Sequence, residues 1–316
     1  MESDANIFVA GGTTFLGAPI VRALERNGFS QITSPASGEL DLTDAAQVDT
    51  FFATNRPDCV FMAAGEIGGI GANQQYPADL MLDNLKVECN IIQSAHQHGV
   101  NKLLYLGSSC GYPKLCEQPM RVESLMTGPL EPTSEAYALA KLAGIKLCQA
   151  YRQQYGDNFV CGIPANPFGP GDDFDAENAH VIGALMGRMH HAKLTGTPSV
   201  TIWGTGAPRR EFIFVDDLAD ACVFLMLNYD GSQPVNLGSN TDMSILQLAN
   251  SIKEVVGYNG EFEFDTSKTD GAPMKMLDSA PIREMGWRPQ TSFEDALDAT
   301  YGYFLKTVIG ESILSK

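Results

Sequence analysis

Three groups of residues in this 316-residue chain are of types and spacings that could carry chemistry. The first is Tyr137-Ala-Leu-Ala-Lys141, a phenol and an ammonium four positions apart, which on a helix share one face. A free phenol titrates near pH ~10, and a fixed lysine charge beside it would bring that value down. Tyr137 would then give a proton to a carbonyl as hydride arrives, or take one from an alcohol in reverse. Lys141 could also hold a cofactor ribose. Alone, this spacing is more often an ordinary surface helix.

The second group, Gly107-Ser108-Ser109-Cys110, follows the apolar run 103–106. A serine hydroxyl at the C-terminal end of a buried strand can bond the same carbonyl oxygen as Tyr137, because ligands of open α/β sheets gather at that edge. Ser108 takes the role, and Ser109 reads as a loop hydroxyl. The third group is Gly11-Gly12-Thr13-Thr14-Phe15-Leu16-Gly17, between an apolar run at 7–10 and a helical pattern. Glycine lets such a turn bring backbone amides against a pyrophosphate at a helix N-terminus. Gly11 and Gly17 fit the three-glycine spacing, while Thr14 holds its middle position. There a side chain would crowd the ligand. Further on, Glu39 is the one candidate for a ribose-binding carboxylate, Asp41-Leu42 read as flanking the adenine, and no arginine stands in 34–39. Chemistry alone leaves NAD and NADP both open.

These groups need a scaffold that sets them at one sheet edge. Apolar runs at 7–10, 59–63, 103–106 and 159–163 alternate with helical periodicity at 16–26, 45–52, 80–96 and 136–155. That alternation predicts an α/β fold with a parallel, doubly wound, Rossmann-type sheet. After about residue 165 the rhythm changes. A helix is expected over 180–191, strands over 200–203 and 211–215, and helices over 218–227, 244–256 and 293–305. Asp216 or Asp217 could cap the first of those last three. The expected division is a dinucleotide-binding part over 1–165, with segments returning near 211–240, and a smaller interleaved substrate part over 166–316.

The formal net charge of −17 argues against nucleic acid or an anionic membrane as the main partner. Seven cysteines, with no C-x-x-C pair and no zinc-like spacing, suit reduced thiols in a cytoplasm rather than a disulfide framework or a metal site. No signal peptide or membrane-spanning run is read in the chain.

Longer motifs add to this. Gly68-Gly69-Ile70 with Ala72-Asn73, the stretch 106–114, the stretch 130–146, His180-Val-Ile, Trp203-Gly-Thr-Gly, and Arg210-Glu-Phe with Val215-Asp-Asp resemble the extended short-chain dehydrogenases. Within these, the chain is similar to the GDP-L-fucose synthase branch over nearly its whole length. The resemblance implies conversion of GDP-4-keto-6-deoxy-D-mannose to GDP-L-fucose, by epimerisation at carbons 3 and 5 and NADP-dependent hydride reduction at carbon 4. It implies Ser108, Tyr137 and Lys141 as the reductase set, with Cys110 and His180 exchanging protons at the two flanking carbons. Arg188, Arg210 and Lys275 would surround the GDP diphosphate and sugar, Trp203 would border the nucleotide, and Asn166 would meet sugar hydroxyls. It also implies a homodimer paired through the helices at 80–96 and 136–155. A related GDP-4-keto-sugar reductase making another sugar is the enzymatic alternative. A non-catalytic dinucleotide-binding regulator is the alternative of another class. The chain departs from the branch at Thr14, at Thr13 and Ser37 (where relatives carry arginines toward the NADP phosphate), at Glu66 for lysine, and at Gly183 for proline.

Overall fold

The computed structural model describes residues 1–36, 38–176, 179–268 and 270–310. The first half alternates as β1 (Ile7–Ala10), α1 (Gly17–Arg26), β2 (Ile32–Thr33), α2 (Ala45–Asn55), β3 (Cys59–Met62), α3 (Ile70–Gln75), α4 (Pro77–Gln97), β4 (Lys102–Leu106), α5 (Glu135–Tyr155) and β5 (Phe159–Pro164). The second half continues with β6 (Asn166–Phe168), α6 (Val181–Thr195), β7 (Ser199–Trp203), β8 (Arg209–Phe214), α7 (Val215–Asn228) and β9 (Val235–Leu237). It ends with β10 (Asp242–Ser244), α8 (Ile245–Val256), β11 (Glu261–Asp265), β12 (Met274–Lys275), α9 (Ala280–Glu284) and α10 (Phe293–Tyr303).

The main sheet runs β2-β1-β3-β4-β5-β9, every neighbouring pair parallel. Every residue of β1, β3, β4 and β5 is buried, as a sheet covered by helices on both faces requires. The expected fold class is the one observed. Because the strands are parallel, their C-terminal ends lie along one edge, and the Gly11 turn, Gly65 and Ser108 all follow them there.

A second core gathers α6, α8 and α10 with β7 and β8, from Leu185, Met186 and Met189 to Ile202, Leu248, Ile252 and Leu297. The first core takes in residues from three later segments, including Leu218–Met226 of α7, β9, and Leu277, Ile282 and Trp287. The last of these returns has no strong periodicity to announce it.

Asp216 and Asp217 do not cap α7 from outside. The helix begins at Val215, so both lie inside its first turn. Asp216 instead pairs with Arg22 of α1 at 2.7 Å. Asp217 is buried and accepts the amides of Gln290 and Thr291 at 3.0 and 3.2 Å, pinning the segment before α10. Gly183 also gains a reason. A side chain there would strike the Asp173 carbonyl, and one at Gly187 the Phe174 carbonyl, so these glycines let the loop before α6 settle on that helix.

Candidate active site

The turn after β1 uses glycine at three places, but not at the three the spacing suggested. Gly11 has φ of 78° and lies against the backbone of Ala64; a Cβ on Gly12 would enter the Ser34 side chain, and one on Gly17 would strike the Gly11 carbonyl. Gly12 thus packs tightly against Ser34. Thr14 is exposed, lines the space beyond the turn and braces it: its hydroxyl donates to the Gly11 carbonyl at 2.7 Å and accepts from the Gly17 amide at 3.3 Å.

A trough of about 310 Å³ follows, lined by Gly11, Thr13, Thr14, Asp41, Leu42, Glu66 and Asp83 among others. Asp41 accepts the Thr43 amide and hydroxyl at 2.9 and 2.7 Å, bonds that hold its carboxyl below the usual carboxylate range. Glu39 turns back onto the Ala36 amide at 2.8 Å and is not among the lining residues. Ser37 lies outside the described residues. No lysine or arginine lines the trough among the described residues, and nearby Lys86 is occupied by Asp83 at 3.4 Å.

Beyond Thr14 and Gly65 the trough continues into a pocket of about 150 Å³ lined by Phe15, Leu16, Asn84, Gly107, Tyr137 and Lys141. Ser108 caps a short turn over Ser109–Gly111, its hydroxyl accepting the Cys110 amide at 3.2 Å. Ser109 is buried, in keeping with a structural role. Burial pushes the Tyr137 phenol well above its ordinary value; Cys110 and Glu88 push the same way, and a hydrogen bond with Ser108 opposes them. This corrects the expectation that Lys141 lowers it. The Lys141 ammonium is taken up by Glu88 Oε1 at 3.1 Å, and the Tyr105 hydroxyl donates to the same oxygen at 2.6 Å. Sequence reading missed Glu88 and Tyr105. Their signal was present: Glu88 is a carboxylate within the apolar stripe Leu80, Val87, Ile91, Ile92 and Ala95 of α4, where an unpaired charge would be very costly.

Next to this pocket is a cleft of about 250 Å³ lined by Asn166, His180, Arg188, Trp203 and Arg210. His180 holds the N-cap position of α6, and burial moves it toward the neutral form, with Asp173 opposing. Arg188 donates to the carbonyls of Ala184 and Thr201 at 3.2 and 2.8 Å, its guanidinium 5.8 Å from the Trp203 ring centre. Arg210 donates to the carbonyls of Arg209 and Ala272 at 2.8 and 2.7 Å. Neither forms an ion pair among the described residues. Asn166 donates to the Glu211 carbonyl at 2.7 Å, which fixes its amide at the wall. Lys275 stands opposite Arg210 in the β8–β12 pairing but does not line the cleft. Cys110 lines neither cavity but is near enough to act electrostatically on both Tyr137 and Arg210. Asp172, also missed, lines the cleft; burial raises its carboxyl to about 7, and its Oδ2 has no hydrogen-bond partner among the described residues.

Residues 7–238 match the family described as NAD dependent epimerase/dehydratase. The chain belongs to that family. Among its relatives in the epimerase/dehydratase family, GDP-L-fucose synthase 1 of Arabidopsis thaliana is 50% identical over 307 residues, covering 97% of this chain and 95% of the relative. GDP-L-fucose synthase of Escherichia coli is 45% identical over 313 residues, covering 96% and 98%. A solved GDP-L-fucose synthetase from Naegleria fowleri bound to NADP superposes with a TM-score of 0.89 at 30% identity, covering 98% of this chain and 96% of that one.

Proposed function

We propose that this epimerase/dehydratase-family chain is an NADP-dependent epimerase/reductase that converts GDP-4-keto-6-deoxy-D-mannose to GDP-L-fucose. The observation that carries the reading is the gathering, around the C-terminal sheet edge, of a trough behind a glycine turn, the Ser108–Tyr137–Lys141 set and a cleft whose two arginines form no ion pair among the described residues. The glycine turn suits a dinucleotide because it is closed tightly: side chains at positions 11, 12 and 17 would strike the Ala64 backbone, the Ser34 side chain and the Gly11 carbonyl. Gly11, Gly12 and Gly17 would hold the pyrophosphate, Asp41 and Leu42 the adenosine, and Tyr137 and Lys141 the nicotinamide ribose. NADPH, when bound, supplies the hydride.

Each side chain's task follows from its surroundings. A ketone at carbon 4 acidifies the hydrogens on carbons 3 and 5, and donors aimed at its oxygen stabilise the enolate and, later, the alkoxide. Ser108 and Tyr137 are those donors. A phenol held in its neutral form is ready to give its proton to the carbon 4 oxygen. Neutral His180 can accept a proton from a neighbouring carbon, and Cys110 can deliver one. Arg188 and Arg210 offer forked donors to the diphosphate, Trp203 borders the nucleotide, Asn166 meets sugar hydroxyls, and Lys275 adds charge behind Arg210.

In the same reading, residues 1–165 with the returns near 211–240 bind the cofactor, and the rest of 166–316 binds the sugar nucleotide. Leu82, Leu139 and Tyr155 on the outward faces of α4 and α5 are exposed apolar groups, suited to an isologous homodimer. All seven cysteines are unpaired, as expected of a cytoplasmic enzyme. No helix among the described residues is long and apolar enough to cross a membrane.

The test mixes the protein with GDP-4-keto-6-deoxy-mannose in deuterated water and NADPH or NADH, following cofactor absorbance and product stereochemistry. Cofactor oxidation with deuterium at carbons 3 and 5 is expected. No oxidation would remove the reductase assignment, and oxidation without deuterium the epimerase assignment. Cys110→Ser is expected to impair deuterium incorporation more than reduction of a pre-epimerised substrate.

A further inference from the structure

Lys141 lines the pocket beside Tyr137, yet the groups that take up its ammonium, Glu88 and Tyr105, do not line it. The side chain is 6% exposed, and Glu88 and Tyr105 behind it are each 1% exposed. The ammonium reaches Glu88 Oε1 at 3.1 Å and lies 4.6 Å from the centre of the Tyr105 ring. The Tyr105 hydroxyl donates its one proton to Glu88 Oε1 at 2.6 Å and shares it with the Lys141 carbonyl at 3.2 Å, tying the carboxylate to the backbone of the residue it pairs with. One turn along α5, Gly144 leaves the room this needs: a Cβ there would collide with the Tyr105 hydroxyl and stand 2.9 Å from Glu88 Oε2. Three elements, α4, β4 and α5, thus converge on one buried ion pair.

We propose that Glu88, clamped by Tyr105, is a positioning residue for the reaction: it sets the place of the Lys141 ammonium and offsets its charge behind Tyr137. The inference rests on the reading of Tyr137 and Lys141 as the proton-transfer pair. A buried pair adds little to stability compared with an apolar replacement, but it holds a charge in one place. The other titratable groups facing this cluster are Cys148 on α5, hydrogen-bonded to the Cys161 thiol of β5, and Cys110 beside Tyr137. None of these brings a second carboxylate.

Glu88→Gln keeps the shape and removes the charge. Loss of one negative charge brings the Tyr137 phenol down from its raised value. The alkaline limb of the kcat profile for reduction therefore moves to lower pH, by about one unit. KM for the sugar nucleotide is expected to stay within about twofold, because Glu88 does not line that cleft. Tyr105→Phe keeps the charge and loosens the clamp. It is expected to lower kcat severalfold with the alkaline limb in place. A folded Glu88→Gln enzyme with the parent's pH profile would overturn the proposal. If that variant does not fold, unchanged kcat in Tyr105→Phe would do so. Tyr137→Phe is run alongside. If it still reduces substrate, the proton-transfer reading itself is wrong; if it is inactive while Glu88→Gln behaves as the parent, only the positioning role fails.

Discussion

The molecule holds cations in two ways, and the contrast separates its two compartments. At the nicotinamide end Lys141 is buried against Glu88, so its charge is offset within the protein and serves to fix a geometry. In the neighbouring cleft Arg188 and Arg210 are held by backbone carbonyls. Carbonyl dipoles orient a guanidinium without cancelling its charge, and neither arginine forms an ion pair among the described residues, although Asp270 and Glu131 act on Arg210 from a distance. In a chain of net charge −17, two such cations in one cleft are informative. Under the proposed function they would meet the diphosphate, whereas the offset lysine would serve proton transfer.

The sharpest way to break this contrast is to remove the proton donor. Tyr137→Phe is expected to lower kcat for reduction by about a thousandfold or more, with GDP binding unchanged by calorimetry. A comparable loss of GDP affinity would mean that the compartments are not separate. Next in size is Arg188→Leu, which should weaken GDP binding by about 2 kcal/mol, roughly thirtyfold. Its remaining affinity should depend less on salt. An unaltered dissociation constant would show that this uncompensated cation is not there for the diphosphate.

The adenosine end of the trough has neither kind of cation among its described lining residues. Thr13→Arg should therefore tighten NADPH binding by about tenfold while leaving NADH nearly unchanged, since only the former brings an extra phosphate. Equal effects on both cofactors, measured by fluorescence titration, would place residue 13 away from that phosphate.

The smallest effect concerns Asp172, whose folded value of about 7 stands above its ordinary 3.8. The raised value means the native state holds the proton more tightly than the unfolded chain. Its stabilising contribution is complete below the unfolded value and is lost as pH rises through about 7. Lowering the pH from about 8 to 6 should thus stabilise the parent by about 1 kcal/mol more than Asp172→Asn, by urea unfolding. Parallel pH curves for the two proteins would contradict the assignment.

Much of this was legible in the residues themselves. Alternating apolar runs dictated the parallel sheet, because strands buried on both faces must be continuously apolar. The main strands and the helices around them fall within a few residues of their expected places. Most strands that went unseen, such as β6, β9 and β12, are two or three residues long. At that length neither alternation nor helical period can show itself, whereas β11 alternates over five residues and was missed all the same. Ser108, Cys110, Tyr137, Lys141 and His180 could be nominated because their residue types and flanking motifs carry a chemical meaning that needs no coordinates. What only the tertiary structure decided was the state of those groups. Thr14 supports its turn because the hydroxyl finds the Gly11 carbonyl, and Lys275 stands behind Arg210 because of strand register. The lysine that sequence reasoning assigned to lowering the Tyr137 phenol instead faces Glu88, 53 residues earlier in the chain. Residue type and spacing specify which protons can move. Burial and distant partners, set only when the chain closes on itself, specify where they rest.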